Sequence, residues 1–131
     1  MILNNAFVQQ LDDYIKINYI GILQGADKGK TDVEVYKKAG IDRRLFSKIR
    51  SNPAYHPRKN TVLALAIALH LDINETKDLL TRAEYAFSPS NKGDLIVKYF
   101  IEHQVYDLIA INFALEEYGQ TIIEGWSAGR S

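Results

Sequence analysis

Apolar residues recur along this chain at intervals of three and four, the spacing that lines one face of an α-helix, with breaker residues between the periodic stretches. Phe7, Val8, Leu11, Tyr14 and Ile15 predict a first helix over Ala6 to Asn18 with Asn5 as its cap. Gly25 to Lys30 reads as a linker, and Thr31 with Glu34 forms a capping box that predicts the start of a second helix. Val35 and Ala39 give that helix its buried stripe, and Gly40 ends it by supplying a left-handed residue. Asp42 caps a third helix over 43–51. Its inner side is Leu45, Phe46 and Ile49, and its outer side is Arg43, Arg44, Ser47 and Lys48. An apolar helix is expected within Thr61 to Ile73, running into a short turn at Leu71, Asp72 and Ile73, and a shorter helix over Asn74 to Leu80. Ser88 to Asn91 break the pattern, after which Asp94 to His103 and Asp107 to Tyr118 predict a helical hairpin, closed by Gly119.

The run TDVEVYKKAGIDRRLFSKIRS, Thr31 to Ser51, resembles the phage-repressor-like, or XRE-like, helix-turn-helix domains. The resemblance rests on Ala39, Gly40 and Ile41 in the turn and on Ser47 and Ile49 in the following helix. It extends through the apolar helix after it to about Leu80. With the first helix it implies a five-helix repressor-like helix-turn-helix domain over 1–87, to which the residue pattern adds a C-terminal helical hairpin within an extension over 88–131, an all-α fold throughout. It further implies a transcriptional regulator that reads double-stranded DNA with the helix over 43–51. Two positions depart from the family pattern. Asp32 stands where the family often carries Gln against a phosphate, and an acid there repels phosphate while favouring the helix dipole. The loop Asn52 to Lys59 is longer than the family's compact turn and is stiffened by Pro53 and Pro57.

Composition narrows the classes. At 131 residues with 47% apolar content the chain can build one core, and with no cysteine it has neither disulfides nor thiol chemistry, in keeping with a cytoplasmic setting. No apolar run suggests a membrane span. The formal net charge is zero, yet Lys37, Lys38, Arg43, Arg44, Lys48, Arg50, Arg58 and Lys59 face the single acid Asp42 within one segment. Such asymmetry concentrates positive potential on one part of the surface; its bland counterpart is an ordinary solvated helix face.

The resemblance places Arg43, Arg44, Ser47 and Lys48 at base edges, with arginine able to donate two bonds to guanine O6 and N7. Phosphate contacts are expected from Thr31, Lys37, Lys38, Arg50, Tyr55, His56, Arg58, Lys59 and Asn60. His56 reads equally as an exposed loop side chain, and His70 as a histidine satisfied at a helix end. The scattered histidines and the adjacent Glu116 and Glu117 offer neither a metal-ligand set nor a paired-carboxylate site, so no enzyme activity, metal or cofactor is expected. Leu95, Tyr99, Phe100, Ile109 and Phe113 exceed what a hairpin buries against itself. They pack on the preceding core or form a homodimer interface, the arrangement by which two-fold operators are read. The competing functional reading is a helix-turn-helix scaffold used as a protein- or RNA-binding inhibitor or adaptor, with a protein partner on the C-terminal helices.

Overall fold

In a computed structural model, which describes residues 2–19, 28–52 and 54–123, the chain is all-helical. The helices are α1 (Ile2–Tyr19), α2 (Lys28–Ala39), α3 (Arg43–Ser51), α4 (Lys59–Ala68), α5 (Ile73–Arg82), α6 (Lys92–Glu102) and α7 (Leu108–Glu117). Two expected starts are corrected. Asn5 lies inside α1, and Thr31 lies inside α2, which begins at Lys28 within the expected linker. Gly25 to Asp27 fall outside the described residues, as does the C-terminal WSAGRS.

Side-chain caps set the starts of α3 and of the last three helices. Asp42 accepts from the Leu45 amide at 2.7 Å, Asn91 from Asp94 at 2.9 Å, and Asp107 from Ile109 and Ala110. Asp72 and Glu75 make a reciprocal capping box at the start of α5, with 2.8 Å and 3.0 Å bonds.

Five helices, α2 and α4 to α7, end by one device. Gly40, His70, Glu84, Gln104 and Gly119 all have positive φ. Each is followed by an amide that bonds back five residues: Ile41 to Tyr36, Leu71 to Ala66, Tyr85 to Leu80, Val105 to Phe100 and Gln120 to Leu115. This is the Schellman closure, which glycine adopts without steric cost and other residues adopt under strain. The apolar helix ends at Ala68, and His70 turns left-handed to lead into the turn expected at Leu71 to Ile73. Gln104→Gly is expected to raise stability by up to about 1 kcal/mol, since relief of the left-handed strain outweighs the added chain entropy. A urea midpoint checks it; a lowered midpoint would contradict it.

Every residue from Val62 to Leu69 is buried, so α4 is the central helix. α2 and α5 pack on it, α1 packs on α5 and α2, and α7 and α6 pack on α4 and α5. The buried residues from Phe7 to Ile123 form one hydrophobic cluster, so the boundary expected at 87/88 does not divide the core.

Polar ties join the parts. Tyr14 donates to Asp78 at 3.0 Å across α1 and α5, and Tyr106 donates to the Leu71 carbonyl at 2.8 Å. Buried Asn112 both donates to the Ile123 carbonyl (3.1 Å) and accepts from its amide (2.8 Å), which clamps residues 122–123 along α7. Such a reciprocal amide pair satisfies two backbone groups at once.

His70 stacks on Tyr106 with ring centroids 4.6 Å apart. Burial, and then the nearby charge of Lys38, hold its pKa below the ordinary value of 6.5. Below that value the unfolded chain takes up the proton before the folded one, so the His70 contribution to stability is present at higher pH and is lost as pH falls toward the lowered folded pKa. His70→Asn is expected to flatten the fall in urea midpoint between neutral and mildly acidic pH. An unchanged profile would contradict the assignment.

Candidate nucleic-acid interface

The exposed basic surface is built on α2, the turn 40–42 and α3. Gly40 (φ 72°) reverses the chain, and Ile41 is buried beneath the turn. Phe46 and Ile49 seat α3 in the core, Phe46 lies 5.7 Å from the Tyr36 ring, and half-buried Leu45 packs against the same cluster. With that side fixed, Arg43, Arg44, Ser47 and Lys48 are exposed together on the outer side of α3. Lys37 and Lys38, also exposed, end α2. Lys48 Nζ sits 5.2 Å from the Tyr55 ring, so the loop after α3 borders the same surface.

Several side chains expected at phosphates are engaged within the fold, and the surface is narrower than the sequence suggests. Arg50 turns inward: it donates to Asp12 of α1 and, at 3.0 Å, to Asp32 of α2, with its guanidinium 5.5 Å from the Phe46 ring. Asp32 is thus the acid that fixes the end of α3 to α2. His56 bonds the Ala83 carbonyl through Nε2 at 2.7 Å and stacks on Tyr85 at 5.2 Å. It is a loop anchor, assisted by the Tyr85 hydroxyl donating to the Pro57 carbonyl at 2.8 Å. Lys59 pairs with Asp94 at 2.6 Å, and Asn60 donates to the Ile122 carbonyl at 3.2 Å. Sequence spacing could not reveal these partners, which lie 18 to 62 residues away. Arg58 is exposed at the cap of α4, and Tyr55 is half-buried. Thr31 lies in the second turn of α2 rather than at its opening.

The C-terminal hairpin divides its apolar residues between two sides. Val97, Ile101, Leu108, Ile111 and Leu115 enter the core, and Phe100 packs partly against it. Leu95 (47% exposed), Tyr99 (57%), Ile109 (58%) and Phe113 (69%) remain on the surface. Leu95, Ile96, Tyr99 and Phe100 of α6, with Ala114 and Tyr118 across from them, line an apolar groove of about 460 Å³.

Among the described residues no helix is long and apolar enough to cross a membrane, and no three His, Asp or Glu side chains converge as metal ligands. No family model, curated protein or solved structure matches this chain.

Proposed function

We propose that this chain is a sequence-specific DNA-binding transcriptional regulator of the phage-repressor-like helix-turn-helix type, acting by occupying an operator. The observation that carries the reading is the exposed quartet Arg43, Arg44, Ser47 and Lys48 on a short helix whose opposite side is locked into the core by Phe46 and Ile49. A helix held that way can enter the major groove N-terminus first, its two leading arginines meeting base edges or one of them a phosphate. Lys37 and Lys38, with Tyr55 and Arg58 across the surface, border the groove walls and take the phosphates. The Asp12–Arg50–Asp32 tie keeps α3 at a fixed attitude to α1 and α2, which base reading requires.

The reading is tested by binding of a labelled duplex at several salt concentrations. Affinity is expected to fall steeply between about 50 and 200 mM salt, as released counterions demand. Lys37→Gln is expected to weaken all sequences alike and to reduce the slope by about 1. A chain with no duplex affinity at the lower salt would exclude the proposal.

A second reading draws on the surface of α6 and α7. Four large apolar side chains and a groove left in water support reading this side as a protein-contact surface. Within the DNA-binding proposal it is the homodimer interface that pairs two α3 helices for a two-fold operator. Were DNA not the ligand, the same surface would make the chain an adaptor for another protein. Sedimentation of the chain and of Phe113→Glu tests the homodimer: a dimer is expected to become a monomer with its fold retained, whereas a parent chain that is already a monomer would contradict it.

A further inference from the structure

The outward side of α6 carries four exposed residues, Lys92, Leu95, Tyr99 and Glu102, at spacings of three, four and three. That spacing sets them in one stripe, opposite Val97, which is buried at the middle of the helix. The stripe reads cation, apolar, apolar, anion, and its positions are symmetric about Val97: Lys92 and Glu102 lie five residues to either side, Leu95 and Tyr99 two. Tyr99 is braced for a contact, its ring edge-on to Phe100 at 5.9 Å and 4.1 Å from the His103 ring.

This order selects one occupant. A second copy of α6, laid antiparallel about a two-fold axis level with Val97, sets each residue of the stripe opposite its complement. Lys92 meets Glu102 of the partner subunit, Leu95 meets Tyr99 of the partner subunit, and the reverse pairs follow by symmetry. A parallel pair would instead set lysine against lysine and glutamate against glutamate, where like charges repel. Within its own helix Glu102 has Lys98 at 4.0 Å, but these side chains are 44% and 34% exposed, so that loose pair leaves the carboxylate open to a second cation. Because α6 packs on α5 and α7 on α4, side by side, the same axis lays α7 against its counterpart, and exposed Ile109 and Phe113 extend the contact.

We infer that two copies of this chain associate through an antiparallel α6 pair, held in register by reciprocal Lys92–Glu102 ion pairs around a Leu95–Tyr99 centre. The inference rests on the homodimer reading above and adds its geometry. Apolar contact supplies most of the affinity, and the charges choose orientation and register.

Charge reversal tests the register without touching the core, since both charged side chains are exposed. Lys92→Glu alone sets acid against acid at both ends of the α6 pair, and Glu102→Lys alone sets lysine against lysine. Each variant is expected to self-associate about 10-fold more weakly than the parent, as two attractive surface pairs become repulsive. Mixed in equal amounts, the two variants regain both ion pairs as a heterodimer, which is expected to form with parental affinity. Sedimentation velocity of the parent, each variant and the mixture reads all three results, and circular dichroism checks that the helices are kept. A parent that sediments as a monomer would remove the homodimer reading and this inference with it. A dimeric parent that Phe113→Glu dissociates, but whose charge variants associate unchanged or fail to recover on mixing, would leave the homodimer standing and overturn the α6 register.

Discussion

Replacing Arg43 and Arg44 together by alanine is expected to lower affinity for the preferred duplex by about 30- to 1000-fold, while affinity for unrelated duplex falls far less. Each bidentate arginine–guanine pair contributes about 1–3 kcal/mol of discrimination, and each 1.4 kcal/mol is a factor of ten. Adjacent arginines on a helix diverge, so one base contact and one phosphate contact is the smaller case, and two base contacts the larger. The fold is expected to be unchanged, because both side chains are exposed and alanine favours the first turn of α3. Urea midpoints of the variant and the parent check this, and competition with unlabelled random duplex measures the specificity ratio. A variant that still selects the same sequence would show that another surface does the reading.

Arg50→Met is expected to lower stability by about 2–3 kcal/mol, the range for charged hydrogen bonds lost from a mostly buried pair. The guanidinium is 14% exposed and neutralises Asp12 and Asp32 together, so methionine leaves two neighbouring carboxylates without their shared cation. Both acids are less than one-third exposed, which keeps solvent screening from erasing the effect. The consequence for DNA binding distinguishes an internal tie from a phosphate contact. An internal tie leaves the salt dependence of binding unchanged, whereas a lost phosphate contact reduces the slope by about 1. Chemical denaturation and a salt titration of the same variant supply both numbers. Unaltered stability with a reduced slope would return Arg50 to the phosphate-contacting group.

The helical succession was legible because the helices around the fully buried α4 bury a stripe that recurs every three to four residues, as in Val35 with Ala39 and Phe46 with Ile49. The turn before α3 was equally legible. Gly40 and Asp42 are residue types selected by local backbone geometry, and both perform the local role expected of them. The helix end at His70 was legible, whereas the left-handed backbone of His70, Glu84 and Gln104 was not, because residues of these types adopt it only under strain.

The same distinction runs through the candidate site. Exposure of Arg43, Arg44, Ser47 and Lys48 followed from their offset against buried neighbours on a single helix. The inward bonds of Arg50, Lys59 and Asn60 depend on partners brought close only by tertiary folding, and a count of basic residues cannot separate an arginine facing phosphate from one facing aspartate. The hairpin was half legible: its apolar excess was evident, but which residues enter the core was fixed by the attitude of α6 and α7 on α4 and α5. Asp32 changes meaning most. In the sequence it is a missing phosphate brace; in the fold it is the acceptor that holds the end of α3.

The central claim, that this chain reads DNA sequence through α3, is tested most directly by selecting bound duplexes from a random pool at about 50 and 200 mM salt. Enrichment at the higher salt of one motif, an inverted repeat with half-sites about 10 base pairs apart, is the result expected of a dimeric operator reader. No enriched motif at either salt would contradict it and would leave the exposed apolar surface of α6 and α7 as the part of the molecule that acts.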